Sequence, residues 1–180
     1  MKQEFSARHL DLKAFAQAKG VLSGQGSLTD FERLKGETKD PAGSTVIWEA
    51  RGELRSADGG RDQVWLHLAA RTTLALVCQR CMGLVETPVA SDRWFRFAPD
   101  EASAAALDDE SEEDVLVFGG AFDLIELVED ELLMSLPLVP RHERCPVDVQ
   151  LAAADPDFEE SAVKPSPFAG LASLRLDKAG

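Results

Sequence analysis

Apolar and polar residues alternate through the middle of the chain with the two-residue period of β-strands. Trp48 and Ala50, for example, alternate with Glu49 and Arg51, and Asp58-Gly59-Gly60 then supplies a turn. The strand candidates are residues 46–54, 64–77, 84–89, 94–97 and 115–118. This pattern predicts an antiparallel sheet of about four to six strands that could curl towards a barrel.

Apolar residues three and four positions apart predict helices outside the strand region. The strongest signal is Phe122–Met134, where an apolar arc is predicted to face the core and the acidic residues to face solvent. Shorter helices are predicted over residues 11–19 and 29–34, the second because a threonine and a glutamate have the spacing of a capping box. The glycines at 24–26 are interpreted as a break between them. The predicted fold class is therefore α+β, with the sheet packed by one main amphipathic helix and short terminal helices.

Composition divides the chain into three parts. Residues 1–147 are predicted to form a single α+β domain, which includes an acidic loop at 99–114. Residues 148–164 are polar, acidic and rich in proline, which predicts a disordered linker. Residues 165–180 are predicted to form a short C-terminal helix and tail, whose apolar face could dock onto a partner. The candidate partner-binding residues of that face are Phe168, Leu171 and Leu174.

Negative charge limits the classes of partner. The chain carries 32 acidic and 19 basic residues, so its net charge is −13. The acidic loop contains no base, and its candidate partner-binding residues are Asp108, Asp109, Glu110, Glu112, Glu113 and Asp114. A chain this acidic repels phosphate backbones, so any contact with RNA is expected to be indirect. The alternative interpretation of the loop, favoured by composition alone, is a solvated segment that aids solubility.

Two short motifs contain all three cysteines. Cys78-Gln79-Arg80-Cys81 places two thiols three residues apart, and His142-Glu143-Arg144-Cys145 repeats that spacing. Cys78, Cys81, His142 and Cys145 are thus candidate ligands of one structural zinc ion, with the first pair in a strand-to-strand turn. Two alternatives remain: small buried hydrophobic residues, or a redox pair plus a bystander.

Several kinds of chemistry have no signal in the sequence. Leu22–Gly26 lacks the Lys-Ser/Thr of a phosphate-binding loop, and there is no serine nucleophile elbow. His67 is expected to be structural. We therefore expect a non-enzymatic protein without a small-molecule substrate. The charged first twelve residues and the lack of a long apolar run lead us to expect a cytoplasmic protein with no membrane partner.

Three blocks of sequence together resemble a known family. They are Val77–Cys81, Phe122–Pro140 and Pro167–Leu174, in matching order and intervals across roughly residues 10–175. This combination is similar to the large ribosomal RNA subunit accumulation protein (YceD-type) family of bacteria and plant plastids. One departure is Ser166-Pro167, where the family usually shows Asn-Pro.

The resemblance implies a role in the synthesis, processing or stability of large-subunit (23S) ribosomal RNA, with no catalytic residues. Bacterial members are typically encoded beside a ribosomal protein of that subunit. Because the chain is acidic, we expect it to act as an adaptor for a basic ribosomal protein or large-subunit assembly factor. Two rival hypotheses are a zinc-knuckle RNA-binding module that presents Arg80 and exposed aromatic residues, and a thiol redox factor that uses Cys78 and Cys81.

Overall fold

A computed structural model describes residues 5–56, 62–108, 111, 113–118, 120, 122–149 and 168. The strands are β1 (Val21–Ser27), β2 (Thr45–Ser56), β3 (Asp62–Val77), β4 (Leu84–Ala98) and β5 (Asp114–Val117). The helices are α1 (Leu12–Gln17), α2 (Leu34–Glu37), α3 (Glu101–Asp108) and α4 (Leu124–Met134), with a 3₁₀ turn at Leu28–Asp30. The predicted α+β class is confirmed.

The strands form one five-stranded sheet in the order β1-β2-β3-β4-β5. β2, β3 and β4 pair antiparallel, as predicted, and residues 84–98 form one continuous strand rather than two. β1, which was not predicted as a strand, pairs antiparallel with β2. β5 instead pairs parallel with β4, because the segment that contains α3 returns the chain from Ala98 to a position beside Phe95. Among the described residues the sheet stays open, with β1 and β5 at its edges, so the suggested closure into a barrel is wrong.

The glycine-rich stretch interpreted as a break is strand β1. Gly24 pairs with Trp48 of β2, and a Cβ atom on Gly24 would lie 2.5 Å from Trp48 Cζ2. The glycine therefore allows the indole ring to pack directly over the β1 backbone. The sequence signal was misleading because glycine here serves close packing rather than a turn.

The helix predicted over residues 29–34 is replaced by two shorter pieces. Ser27, not Thr29, caps the 3₁₀ turn by accepting the Thr29 backbone N–H at 3.3 Å. Glu32 instead pairs with Lys35 on the surface, at 2.5 Å. The capping box is therefore wrong, although the predicted apolar side is buried as expected. Its members are Leu28, Phe31 and Leu34.

The sheet's core face packs against α1 and α4 in one apolar cluster. Asp11 caps α1 as predicted, with its carboxylate 2.9 Å from the Ala14 backbone nitrogen. Phe15 of α1 is fully buried against Gly52 of β2, where a Cβ atom would approach the ring to 2.6 Å. The N-terminal segment is fixed to the start of α4 by a bridge between Leu10 and Phe122.

Helix α4 forms as predicted, with Asp123 as its N-cap, but two of its acids do not face solvent. Glu129 and Glu131 are 9% and 3% exposed. The Glu129 carboxylate accepts the backbone N–H groups of Arg33 and Leu34 at 2.7 and 3.0 Å. The Glu131 carboxylate accepts the Ser91 hydroxyl at 2.7 Å. The prediction that acids occupy only the outer side is wrong, because these two carboxylates satisfy donors beneath the helix.

The acidic loop at 99–114 is mostly ordered secondary structure. Four alanines give residues 101–108 high helix propensity, and they form α3. The Asp100 carboxylate accepts the Ser103 backbone N–H at 2.8 Å at the start of that helix. This hydrogen bond lowers the pKa of Asp100. Composition alone suggested a loop because the run of acids masked the alanine signal.

Three predictions fall on residues outside the described part of the chain. These are the turn at 58–60, almost all of the linker at 148–164, and the C-terminal helix at 165–180, where only Phe168 is described. Within the described residues, no helix is long and apolar enough to cross a membrane.

Candidate metal centre

The turn after β3 positions the first two candidate ligands. β3 and β4 pair as far as Val77 and Leu84, and Cys78 follows directly. The Cys78 backbone N–H donates to the Gly83 carbonyl, and the Met82 N–H donates to the Cys78 carbonyl, both at 2.8 Å. Met82 closes the turn with a φ of 59°, in the left-handed region. The predicted strand-to-strand setting of Cys78 and Cys81 is confirmed.

The chain after α4 brings the second pair of candidate ligands to this turn. α4 ends at Met134, and Pro137 and Pro140 prevent the helix from continuing. The Pro140 carbonyl accepts the Gln79 backbone N–H at 2.8 Å. This backbone contact fixes the proline arm, residues 136–141, against the turn and places His142 and Cys145 beside the cysteine pair.

The four side chains converge on one point. Their donor atoms all lie within 4.8 Å of one another. The Cys78 and Cys145 sulfurs are 3.9 Å apart, and the Cys81 sulfur is 3.4 Å from His142 Nδ1. Tetrahedral zinc bonded to sulfur and nitrogen at usual lengths would set these distances at about 3.8 and 3.6 Å. Two of the donor distances are therefore close to those of a Cys3His zinc site, and the other donor pairs lie within 4.8 Å of one another.

A backbone carbonyl selects the nitrogen that His142 presents. His142 Nε2 lies 2.9 Å from the Leu84 carbonyl oxygen, so Nε2 carries the proton and donates. The lone pair is then on Nδ1, the atom that faces Cys81. Metal-binding histidines are commonly oriented in this way by a hydrogen bond from their other nitrogen.

The thiols differ in their ease of ionisation. Burial of Cys78 opposes ionisation, but backbone N–H groups, first that of Cys81, outweigh it and lower the pKa of Cys78 to about 5. The backbone hydrogen bond from Gly83 favours the Cys81 thiolate, but burial and the two neighbouring cysteines outweigh it and raise the pKa of Cys81. Ionisation of one thiol thus disfavours ionisation of its neighbour, because two negative charges would lie close together. A bound divalent cation would offset this repulsion.

Arg80 supports the site from within. Its Nε atom donates to the Cys145 sulfur at 3.0 Å, and its terminal nitrogen donates to the carbonyls of His142 and Glu143 at 2.9 and 3.2 Å. Arg80 therefore ties the two motifs together instead of pointing away to a ligand. One rival hypothesis from the sequence assigned Arg80 to RNA contact. Only its position between Cys78 and Cys81 indicated a role in the site itself. Nothing in the sequence indicated the role of the Leu84 carbonyl, since every residue has a backbone carbonyl group.

Of the two remaining interpretations of the cysteines, redox chemistry has one supporting feature. The low pKa of Cys78 is typical of reactive thiols. The Cys78 side chain is fully buried, however, and a redox partner needs access to the attacking sulfur. Simple apolar packing does not explain why an imidazole nitrogen faces a thiol at 3.4 Å. The arrangement fits a structural metal centre better than either alternative.

The acidic candidates have different surroundings. Asp108 is exposed at the end of α3, and Glu113 is half-buried. Asp114 belongs to β5, and its carboxylate pairs with Arg93 at 2.5 Å, so it already has a partner inside the fold. Phe168 is exposed. The other candidates lie outside the described residues: Asp109, Glu110, Glu112, Leu171 and Leu174.

The fold and the site together define an open-sheet α+β domain with a cysteine–histidine cluster that could hold a metal ion. The chain belongs to the family of the large ribosomal RNA subunit accumulation protein YceD, whose family model matches residues 66–175. The matched region includes both ligand motifs, which confirms the resemblance noted in the sequence.

A curated relative supports this assignment. The chain is 52% identical over 58 residues to the large ribosomal RNA subunit accumulation protein YceD of Haemophilus influenzae. The match covers 31% of this chain and 33% of that relative, so it spans only about a third of the relative's length. No solved structure matches the chain.

Proposed function

We propose that this chain is a non-enzymatic, cytoplasmic ribosome biogenesis factor that supports the synthesis, processing or stability of large-subunit ribosomal RNA. In this proposal it acts as an acidic adaptor that holds a basic ribosomal protein or assembly factor. Family membership supports the pathway. The observation that carries the adaptor role is the net charge of −13, which complements a basic polypeptide and repels naked RNA.

Exposed acids supply the long-range part of this interaction. Glu101 and Asp108 lie exposed on α3. A potential of one sign over such a surface raises the association rate of an oppositely charged partner and weakens with ionic strength. Short-range contacts are then needed to retain the partner once it has arrived.

Capture from cell extract tests this function. The purified chain is expected to retain basic large-subunit proteins or assembly factors at low salt, with capture reduced at about 0.5 M salt. Nuclease treatment of the extract should leave the capture unchanged, since RNA is not the bridge. Identification of the retained proteins and RNAs by mass spectrometry and sequencing checks both points. Retention of no ribosomal or assembly protein at either salt concentration would contradict the proposal.

We also propose that Cys78, Cys81, His142 and Cys145 bind one structural zinc ion. The support is geometric: the four donor atoms lie within 4.8 Å of one another, two of their distances match a tetrahedral site, and His142 is oriented towards the cluster. Freshly purified protein should contain one zinc per chain, and Cys78→Ser should lower that content. Gln79→Ser is the matched control, because Gln79 is exposed in the same turn and offers no ligand. Zinc well below one per chain, and unchanged by Cys78→Ser, would rule out this site.

Direct RNA binding by the region around the four candidate metal ligands is a second candidate function. It is favoured by Arg141 and Arg144, which are exposed beside the ligands in an otherwise acidic chain. The tryptophans do not support it, since Trp48 and Trp65 are buried and Trp94 is half-buried. Salt-sensitive binding of the purified chain to single-stranded RNA, lost in Arg141→Gln/Arg144→Gln, would favour this function over the adaptor role.

A further inference from the structure

Every second residue of strand β1 points its backbone N–H and C=O groups away from the sheet. The Gly52 N–H donates to the Gly20 carbonyl, and the Leu28 N–H donates to the Ser44 carbonyl, both at 3.0 Å. These pairs share one uninterrupted register with β1 and β2. Because hydrogen-bonded and non-hydrogen-bonded pairs alternate in an antiparallel ladder, the even-numbered residues of β1 bond to β2. The outward N–H and C=O groups belong to Val21, Ser23, Gln25 and Ser27.

This edge lacks the features that usually protect an edge strand. Its seven residues, Val-Leu-Ser-Gly-Gln-Gly-Ser, include no charge and no proline, and the register contains no bulge. The outward-directed residues are all exposed. Within the described part of the chain, no strand pairs with this side of β1. Natural proteins normally block such edges, because an exposed row of backbone donors and acceptors pairs readily with another strand.

A shallow groove continues from this edge across the face of the sheet opposite the helices. Its volume is about 640 Å³, and its lining includes Ser23, Gln25, Ile47, Glu49, Arg71 and Asp92. Its lining also includes the small residues Ala69 and Ala90, which add little bulk. A strand added to β1 would direct alternate side chains towards this side of the sheet.

We propose that the free edge of β1 binds an extended segment of a basic polypeptide by strand addition. Backbone hydrogen bonds provide the affinity, and the groove receives alternate side chains. The basic character is argued from the net charge of −13, since the groove carboxylates of Glu49 and Asp92 already pair with neighbouring basic side chains at 2.6 Å. A second copy of the chain has the same net charge and is repelled. This choice of partner rests on the adaptor function, for which it supplies the short-range contact.

Hydrogen exchange with a defined probe tests the proposal. The probe is a heptapeptide of alternating lysine and valine, and its control has the same sequence with N-methyl groups on alternate amides. With the probe at about ten times its dissociation constant, the Ser23 and Gln25 amides should exchange about tenfold more slowly. The methylated peptide should give no protection. Absence of protection by the unmodified peptide would overturn the proposal.

Exchange in the free protein adds two further outcomes. Slow exchange of the Ser23 and Gln25 amides at every protein concentration would show that the edge is already covered, and would overturn the proposal. Protection that grows with protein concentration, together with a dimer in sedimentation, would assign the edge to a second copy and overturn it equally. Rapid exchange at all concentrations is the expected result.

Two variants of Gln25 test whether binding needs the outward backbone N–H groups of β1. Gln25→Pro removes one outward N–H and leaves the β1–β2 ladder intact, whereas Gln25→Thr removes the same side chain and keeps the N–H. Gln25→Pro should reduce peptide binding at least about tenfold, and Gln25→Thr should not. Equal binding by both variants would overturn the edge proposal. Thermal unfolding checks that each variant is folded.

The edge proposal and the adaptor function fail in different ways. If the wild-type chain captures ribosomal proteins and Gln25→Pro captures them equally, the function stands and the edge proposal is wrong. If the peptide protects β1 but extracts yield no ribosomal or assembly protein, the edge proposal stands and the adaptor function is wrong.

Discussion

Two buried carboxylates show how single residues connect distant parts of the chain. Glu129 of α4 accepts two backbone N–H groups at the start of α2, and its second oxygen lies 3.2 Å from Arg33 Nε. Glu131 accepts the hydroxyl of Ser91 on β4. The helix is thus attached to a neighbouring helix and to the sheet by polar contacts as well as apolar packing. Charged acceptors form stronger hydrogen bonds than neutral ones, which favours carboxylates at these positions.

Replacement of Glu129 tests this role. Glu129→Ala leaves the backbone N–H groups of Arg33 and Leu34 without their acceptor, so the free energy of unfolding should fall by about 2–3 kcal/mol. Glu126→Ala on the exposed side of the same helix should change it by less than about 0.5 kcal/mol. Urea denaturation of both variants measures the difference. Equal stability of the two variants would contradict the role assigned to Glu129.

At the scale of elements, two short segments depend on local contacts more than on the core. The proline arm is fixed to the turn after β3 by the Gln79–Pro140 backbone contact, and residues 142–145, which follow it, are held there by Arg80 and the cluster of candidate ligands. Several of its residues, including Leu138 and Val139, are exposed. Helix α3 buries only Ala104. Segments with few buried contacts unfold locally before the core does. We therefore expect the proline arm and α3 to respond to substitutions and conditions that leave the sheet intact.

If the proposed zinc ion is bound, its removal should release the proline arm without unfolding the sheet. Dialysis against a chelator is expected to lower the melting temperature and to speed exchange of the Gln79 amide, whose acceptor is the Pro140 carbonyl. The amides of Leu66 and Phe95 in the sheet should stay protected, because their burial does not depend on the cluster. Return of zinc should restore Gln79. Unchanged exchange at Gln79 after verified metal loss would contradict this prediction.

Helix α3 should depend on its N-cap and on pH. Asp100→Ala is expected to speed amide exchange throughout α3, whereas Asp100→Asn should nearly preserve it because asparagine also caps helices. The backbone hydrogen bond from Ser103 lowers the pKa of Asp100 in the folded protein. Its stabilising effect is therefore complete above the unfolded pKa and is lost as the pH falls through the lower, folded value. Exchange measured between pH 6 and acidic pH checks the trend, and equal rates for Asp100→Ala and the wild type would exclude the cap.

At the scale of the whole molecule, the charge that favours a basic partner also opposes compactness. The net charge is −13 and the isoelectric point is about 4.6. Self-repulsion destabilises a highly charged folded chain. Internal pairs such as Arg93–Asp114 offset only part of this repulsion.

Salt should therefore stabilise the free protein at neutral pH. Raising sodium chloride from about 0.05 to 0.5 M should raise the melting temperature at pH 7, because screening reduces repulsion between the acids. The effect should shrink near the isoelectric point, where the net charge vanishes. Differential scanning calorimetry at both pH values, with sucrose as a non-ionic control, makes the comparison. A lower melting temperature in salt at pH 7 would show that attractive pairs dominate instead.

The sequence by itself determined the features that depend on local periodicity and on short motifs. Alternation located the β2–β4 strands, the helical period located α1 and α4, and the paired Cys/His spacing identified the four candidate ligands. These signals were sufficient because each burial pattern repeats within a few residues along the chain. The family resemblance rested instead on the combination of three sequence blocks, Val77–Cys81, Phe122–Pro140 and Pro167–Leu174.

Only the tertiary structure decided features that depend on residues far apart in sequence. Gly24 belongs to a strand because Trp48 packs over it, and Glu129 is buried because the start of α2 requires an acceptor. The convergence of the two ligand motifs likewise required the proline arm to dock beside the turn after β3. In each case the deciding partner lies on another element, and no periodic pattern within one segment can specify it.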